Sequence, residues 1–117
     1  HTLPDPATLG AGYTGKTNIG CLLAGTRGGV PASTYIYNVC DHEAAFAETG
    51  SQAISYTAGV PPVVAAELLV EGAAGWSGAG AWVPEDLPPR PFLDRLAERG
   101  LRWEIIDGTG VAAVGKL

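Results

Sequence analysis

The sequence predicts an α+β domain in which a mixed or antiparallel sheet is covered by two or three helices. Strand-like runs fill the first third of the chain and helix-like runs follow. Gly 17 and Pro 9 in 117 residues divide it into many short elements. A composition 46% hydrophobic and only 16% charged supplies a real core and argues against disorder. The length suits one domain, residues 1–117.

The N-terminal segment, to about residue 17, is rich in proline and glycine and reads as an extended loop. Residues 18–26 form a plausible strand, Arg27 to Pro31 signal a turn, and the β-branched and aromatic run 33–40 suits a second strand. Together they predict a hairpin with a loop longer than two residues. Asp41 is a candidate N-cap for a short helix that ends at Gly50. Ser51 is the next candidate cap, for a helix over 52–71. Ile54, Ala58, Val64 and Leu68 give it a helical stripe, Pro61 and Pro62 start or kink it, and Gly72 closes it. A connection follows, with Trp76 and Trp82 as anchors and a short strand near 79–83. Pro91 opens a third helix with Phe92, Leu93 and Leu96 on its apolar side, closed by Gly100. Asp86, Asp94, Arg95, Glu98 and Arg99 read as a solvated face. A last strand over 101–106 leads to a loose tail at 108–117.

Charge and composition exclude several function classes. Net charge is −5 and the seven Lys and Arg form no basic run, which argues against nucleic acid and anionic membrane surfaces. Gly, Pro or Glu interrupts the apolar stretches, so no membrane span is expected. Cys21 and Cys40 suit neither a disulfide scaffold nor a metal knuckle, so no metal is expected and free thiols in a cytoplasmic protein are the default. The absence of Met at every position suggests a piece of a longer polypeptide.

Three stretches carry candidate chemistry. Gly10, Gly12, Gly15, Lys16 and Thr17 fit both the phosphate-loop and the dinucleotide glycine patterns by letter. Either pattern needs a strand before it and a helix after it, and the flanking residues predict the reverse. A flexible Gly-rich loop is the better reading. Cys40 and His42 form a potential nucleophile–base pair at a strand end, against the alternative of a buried structural Cys and a surface His. Ser51, Gln52, Ser55, Tyr56 and Thr57 crowd polar groups into the start of an otherwise apolar helix, where a bound anion or plain capping would each account for them.

These stretches resemble the saccharopine dehydrogenase family, nearest its carboxynorspermidine and carboxyspermidine dehydrogenase branch. The resemblance is carried by Leu3-Pro4-Asp5-Pro6, Gly15 to Gly20, Tyr37 to His42, Gly50 to Thr57, Gly59-Val60-Pro61 and Pro91-Phe92-Leu93 with Gly100-Leu101. It covers only the family's C-terminal substrate and dimer domain, without the Rossmann domain that binds the nucleotide. It implies a homodimeric enzyme that uses NADP or NAD to reduce an imine formed from an amine and aspartate semialdehyde. The substrate would be an amino acid or polyamine, and this domain alone would be inactive. Catalytic candidates are His42, Tyr56 and Cys40; substrate-binding candidates are Ser51, Gln52, Ser55, Thr57 and Gly59. The rival reading is a non-catalytic interaction or oligomerisation module.

Overall fold

Gly28 and Gly29 both have positive φ, 60° and 82°, which a two-residue hairpin turn requires. They join β1 (Lys16–Arg27) to β2 (Val30–Asp41) in one antiparallel register from Lys16↔Asp41 to Arg27↔Val30. The hairpin is therefore longer than expected and its turn shorter, because two consecutive glycines remove the steric barrier to the tight turn. The computed structural model describes residues 2, 10, 12–76 and 78–108. The Leu3-Pro4-Asp5-Pro6 stretch and the tail beyond 108 lie outside the described residues.

β3 (Trp103–Gly108) pairs antiparallel with β2, giving sheet order β1-β2-β3. The sheet is thus antiparallel throughout. The last strand starts two residues later than expected, because Leu101 belongs to the preceding helix end: it is 1% exposed and its N–H bonds Leu96 O at 2.9 Å. Directly paired residues share a face. One face carries Ile19, Cys21, Leu23, Ile36, Asn38, Cys40, Trp103 and Ile105. The other carries Tyr35 stacked on Tyr37 at 4.8 Å, over Gly20. A Cβ on Gly20 would lie 2.7 Å from both Ile36 O and Tyr37 Cβ, so only glycine lets the rings settle there.

α1 (His42–Thr49) starts where expected: Asp41 Oδ1 accepts the Ala44 N–H at 3.1 Å, and Gly50 ends the helix in the left-handed region. α2 (Ala53–Glu71) follows after three residues. Ser51 is not its cap. Gln52 holds that position without a side-chain cap bond, and the Ala53 N–H instead meets His42 Nδ1 at 3.4 Å. Pro61 and Pro62 neither start nor break α2 but lie inside it. They lack N–H groups, so the carbonyls of Thr57 and Ala58 receive no helical hydrogen bond. The result is an unbroken 19-residue helix, long and apolar enough by length and composition to cross a bilayer. One side of it is buried, with Val64 and Leu68 among Cys40, Ala45, Trp76, Leu96 and Leu101, while Ile54, Val63, Leu69 and Val70 are exposed.

No strand forms at 79–83; that stretch is irregular and leads into a 3-10 turn at Pro84–Asp86. Trp76 is the anchor there, buried, stacked on Phe92 at 5.7 Å and donating Nε1–H to Pro88 O at 2.9 Å. Trp82 is about half exposed. α3 (Pro89–Glu98) begins two residues before Pro91. α2 and α3 end alike, each with a glycine beyond the last turn and a bond from the following residue back to the helix, Ala73 N to Leu68 O and Leu101 N to Leu96 O.

The charges on α3 are more than a solvated face. Arg95 grips Glu71 through two parallel bonds of 3.1 and 2.8 Å and also reaches Glu67 and Glu98, while Arg99 bonds Glu67. Planar guanidinium–carboxylate pairing ties α3 to α2. The hydrogen bond from Arg95 holds the Glu71 carboxyl below its ordinary range. A group whose folded pKa is lowered stabilises the fold above its unfolded pKa and loses that contribution as pH falls through the folded one. We expect an R95M variant to melt below the parent at neutral pH. The gap should close as pH drops through and below the carboxylate range, as thermal melts from pH 7 to pH 3 would show.

Candidate functional site

His42 is the first residue of α1 and only 5% exposed. Its backbone N–H donates to Gly15 O at 2.9 Å. Nδ1 accepts from the Ala53 N–H, which leaves Nε2 as the donor to Gly10 O at 3.3 Å. Tyr13 and Phe46 flank the ring at 5.5 and 6.1 Å. A Cβ on Gly10 would fall within the Phe46 ring, 1.7 Å from its nearest atom.

The glycines described in this segment serve packing at one position and backbone conformation at two others. Gly10 makes room for Phe46, and Gly12 and Gly15 adopt positive φ. Gly15 runs into β1 and no helix follows it, so the segment offers no helix N-terminus to a phosphate. Lys16 pairs with Asp41 at 3.9 Å. A dinucleotide cradle therefore does not fit the described part of this segment.

The larger cleft lies between the end of α1, the first turns of α2 and the turn after α3. It measures about 390 Å³, within the range of small-molecule sites. Ser55, Gly59 and Val63 form one ridge and Tyr56, Val60 and Val64 the next, each repeating every four residues as helix geometry dictates. Glu48, Thr49 and Ser51 supply the facing side, and Arg99 closes the end. A Cβ on Gly59 would meet nothing within 4 Å, so the cleft is open there.

The fold gathers Ser51, Ser55, Tyr56 and Gly59 into this cleft. It sends Gln52 and His42 to a second hollow of about 200 Å³, beside Lys16, Thr17 and Ile54 at the start of α2. Cys40 and Thr57 line neither of these two clefts. Thr57 is 6% exposed and its hydroxyl donates to Ile54 O at 3.1 Å, within its own helix. Cys40 is buried, and burial followed by the charges of Asp41 and Glu48 pushes its thiol above the ordinary value. A thiol held protonated is a poor nucleophile.

Tyr56 donates its hydroxyl to Arg99 O at 2.8 Å and also stands 3.2 Å from Glu48 Oε1. Burial, then the Glu48 charge, raises its phenol pKa. Glu48 and Arg99 were not among the expected site residues. Glu48 lies eight residues before Tyr56 and Arg99 forty-three after it, separations to which no local pattern corresponds. Among the described residues no cluster of His, Cys, Asp and Glu could hold a metal.

Residues 1–101 match the family model described as the saccharopine dehydrogenase C-terminal domain. A carboxyaminopropylagmatine dehydrogenase from Synechocystis is 48% identical over 107 residues, 91% of this chain and 26% of that protein. Carboxynorspermidine synthases of Vibrio alginolyticus and Vibrio cholerae are 44% and 41% identical, covering 88% and 90% of this chain and 24% and 25% of their own lengths. The chain thus spans about a quarter of the curated relatives it matches.

The two ring bonds of His42 predict a structural penalty for its loss. An H42A variant should be less stable by about 1–3 kcal/mol, the cost of leaving buried polar groups unpaired. Urea denaturation measures this.

Proposed function

Because the chain belongs to the saccharopine dehydrogenase C-terminal domain family, we propose that it is the substrate-binding end of a longer nicotinamide-dependent dehydrogenase. In this reading the enzyme joins an amine to aspartate semialdehyde. The amine nitrogen attacks the aldehyde carbon, water leaves, and the resulting C=N bond is reduced. The observation that carries the reading is the 41–48% identity to three relatives whose names denote carboxylated polyamine products.

NADP is the proposed cofactor and, bound in its reduced form NADPH, would supply the hydride. The glycine segment described here does not fit it, so its cradle is assigned to the remainder of the longer protein. The chain's own residues bind and orient the substrate. Val60, Val63 and Val64 give the cleft an apolar wall, and Ser51 and Ser55 offer hydroxyls along it. Tyr56 serves as a hydrogen-bonding group of this cleft. His42 and Cys40 are assigned a supporting rather than a catalytic part, since His42 has both ring nitrogens engaged and Cys40 is buried in the core.

The reading includes a homodimer and a cytoplasmic setting. The sheet face supports the dimer: Ile19, Leu23 and Ile105 lie on one face, each about half exposed. On the same face the Asn38 side-chain oxygen is buried with no partner among the described residues. A second copy packed there would cover the apolar groups and offer a donor to Asn38.

The test is an assay of the full-length gene product with NADPH, aspartate semialdehyde and an aliphatic diamine. NADPH should be consumed only when aldehyde and amine are both present, and the 117-residue chain alone should be inert. Consumption that ignores the amine, or none with any amine, would refute the reading.

A further inference from the structure

We infer that Glu48 is the anchor for the cationic end of an aliphatic amine, held between its carboxylate and the Tyr56 hydroxyl with the carbon stem along Val60 and Val63. The inference rests on the reading of the large cleft as a substrate site and adds what that site recognises.

The first support is a carboxylate with no countercharge. Tyr56 has one hydroxyl proton and two acceptors in reach, Arg99 O at 2.8 Å and Glu48 Oε1 at 3.2 Å. The shorter, neutral bond can satisfy that proton. Glu48 forms no ion pair among the described residues. Arg99, which also lines the cleft, donates to Glu67. Glu48, exposed at the cleft, and the lone pairs of the Tyr56 oxygen are thus acceptors with no protein cation between them among the described residues. An ammonium or guanidinium group is all donors and can bridge these two acceptors, 3.2 Å apart, from the cleft side.

The second support is the field. Glu48 sits in the last turn of α1, where helix carbonyls concentrate negative charge, and that turn carries no basic residue. The third is shape. One wall of the cleft is aliphatic, from Val60, Val63 and Val64, with Gly59 leaving open space beside them, while Thr49, Ser51, Ser55 and Arg99 complete the lining. A carboxylate at one end of an apolar groove selects a charged nitrogen on a hydrocarbon stem. An amino-acid carboxylate would meet Glu48 as a like charge.

The experiment uses the full-length protein and separates binding from turnover. Calorimetry measures the affinity of 1,3-diaminopropane, putrescine and agmatine for the parent, E48Q and E48D. Glutamine keeps the size and the contact to Tyr56 but removes the charge. We expect at least one of the three amines to bind the parent and to bind E48Q roughly tenfold or more weakly, the effect of losing one charge-assisted bond. E48D should recover part of the loss, and the urea denaturation midpoint should be unchanged in both variants, which reports an intact fold. Equal affinity for parent and E48Q, or no binding of any of the three amines, overturns the inference. NADPH turnover by the parent is read separately. An active enzyme whose amine affinity ignores E48Q refutes the anchor and leaves the proposed function standing. An inert enzyme that loses amine affinity in E48Q retains the anchor and refutes the function.

Discussion

The imidazole of His42 joins three parts of the chain that would otherwise have no reason to meet. It receives the first amide of α2, donates to the segment at Gly10, and starts α1. A buried ring nitrogen without a partner costs more than an ordinary hydrogen bond gains, so both contacts must form together. That requirement fixes how α2 leaves α1. The angle between the end of α1 and the first turns of α2 then sets where Glu48 stands relative to Tyr56. Gly10 follows from the same constraint, because a Cβ there would run into the Phe46 ring, whereas Gly12 and Gly15 serve positive φ in open space.

A second constraint comes from the far end of α3. Gly100 adopts a left-handed turn, and Leu101 folds back to bond Leu96 and fill the core. The turn brings the Arg99 carbonyl to the Tyr56 hydroxyl. Meanwhile the Arg99 side chain joins Arg95 in gripping Glu67. One residue thus closes the cleft with its backbone and locks α3 to α2 with its side chain. The helices behind the cleft are tied together by these ion pairs, and the cleft is open where Gly59 lacks a side chain.

The order of elements was legible in the sequence because each carries a local signal. Asp41 caps α1, glycines at 50, 72 and 100 stop three helices, and the β-branched run before Cys40 makes a strand. The failures came where a distant partner decides. Ser51 looked like a cap by position, but an imidazole eleven residues away takes the Ala53 amide. Gly10 to Thr17 matched a phosphate loop by letter, while the strand that follows and the ring it encircles give those glycines another purpose. Half of the candidate site was visible as a polar cluster before α2. Its other half, Glu48 and Arg99, required the fold, since Glu48 lies eight residues before Tyr56 and Arg99, at the end of α3, forty-three after it. The family likeness was readable from the runs Tyr37 to His42 and Gly50 to Thr57, which meet at the His42–Ala53 contact.

The account turns on the cleft between α1 and α2 being the place where an amine meets a nicotinamide held by the rest of a longer protein. The most direct measurement is a crystal structure of the full-length protein with NADP and 1,3-diaminopropane. The account predicts one amine nitrogen between Glu48 and Tyr56 and the nicotinamide ring opening onto the same cleft. A nicotinamide lodged over another face, with the diamine absent from the cleft, would contradict it.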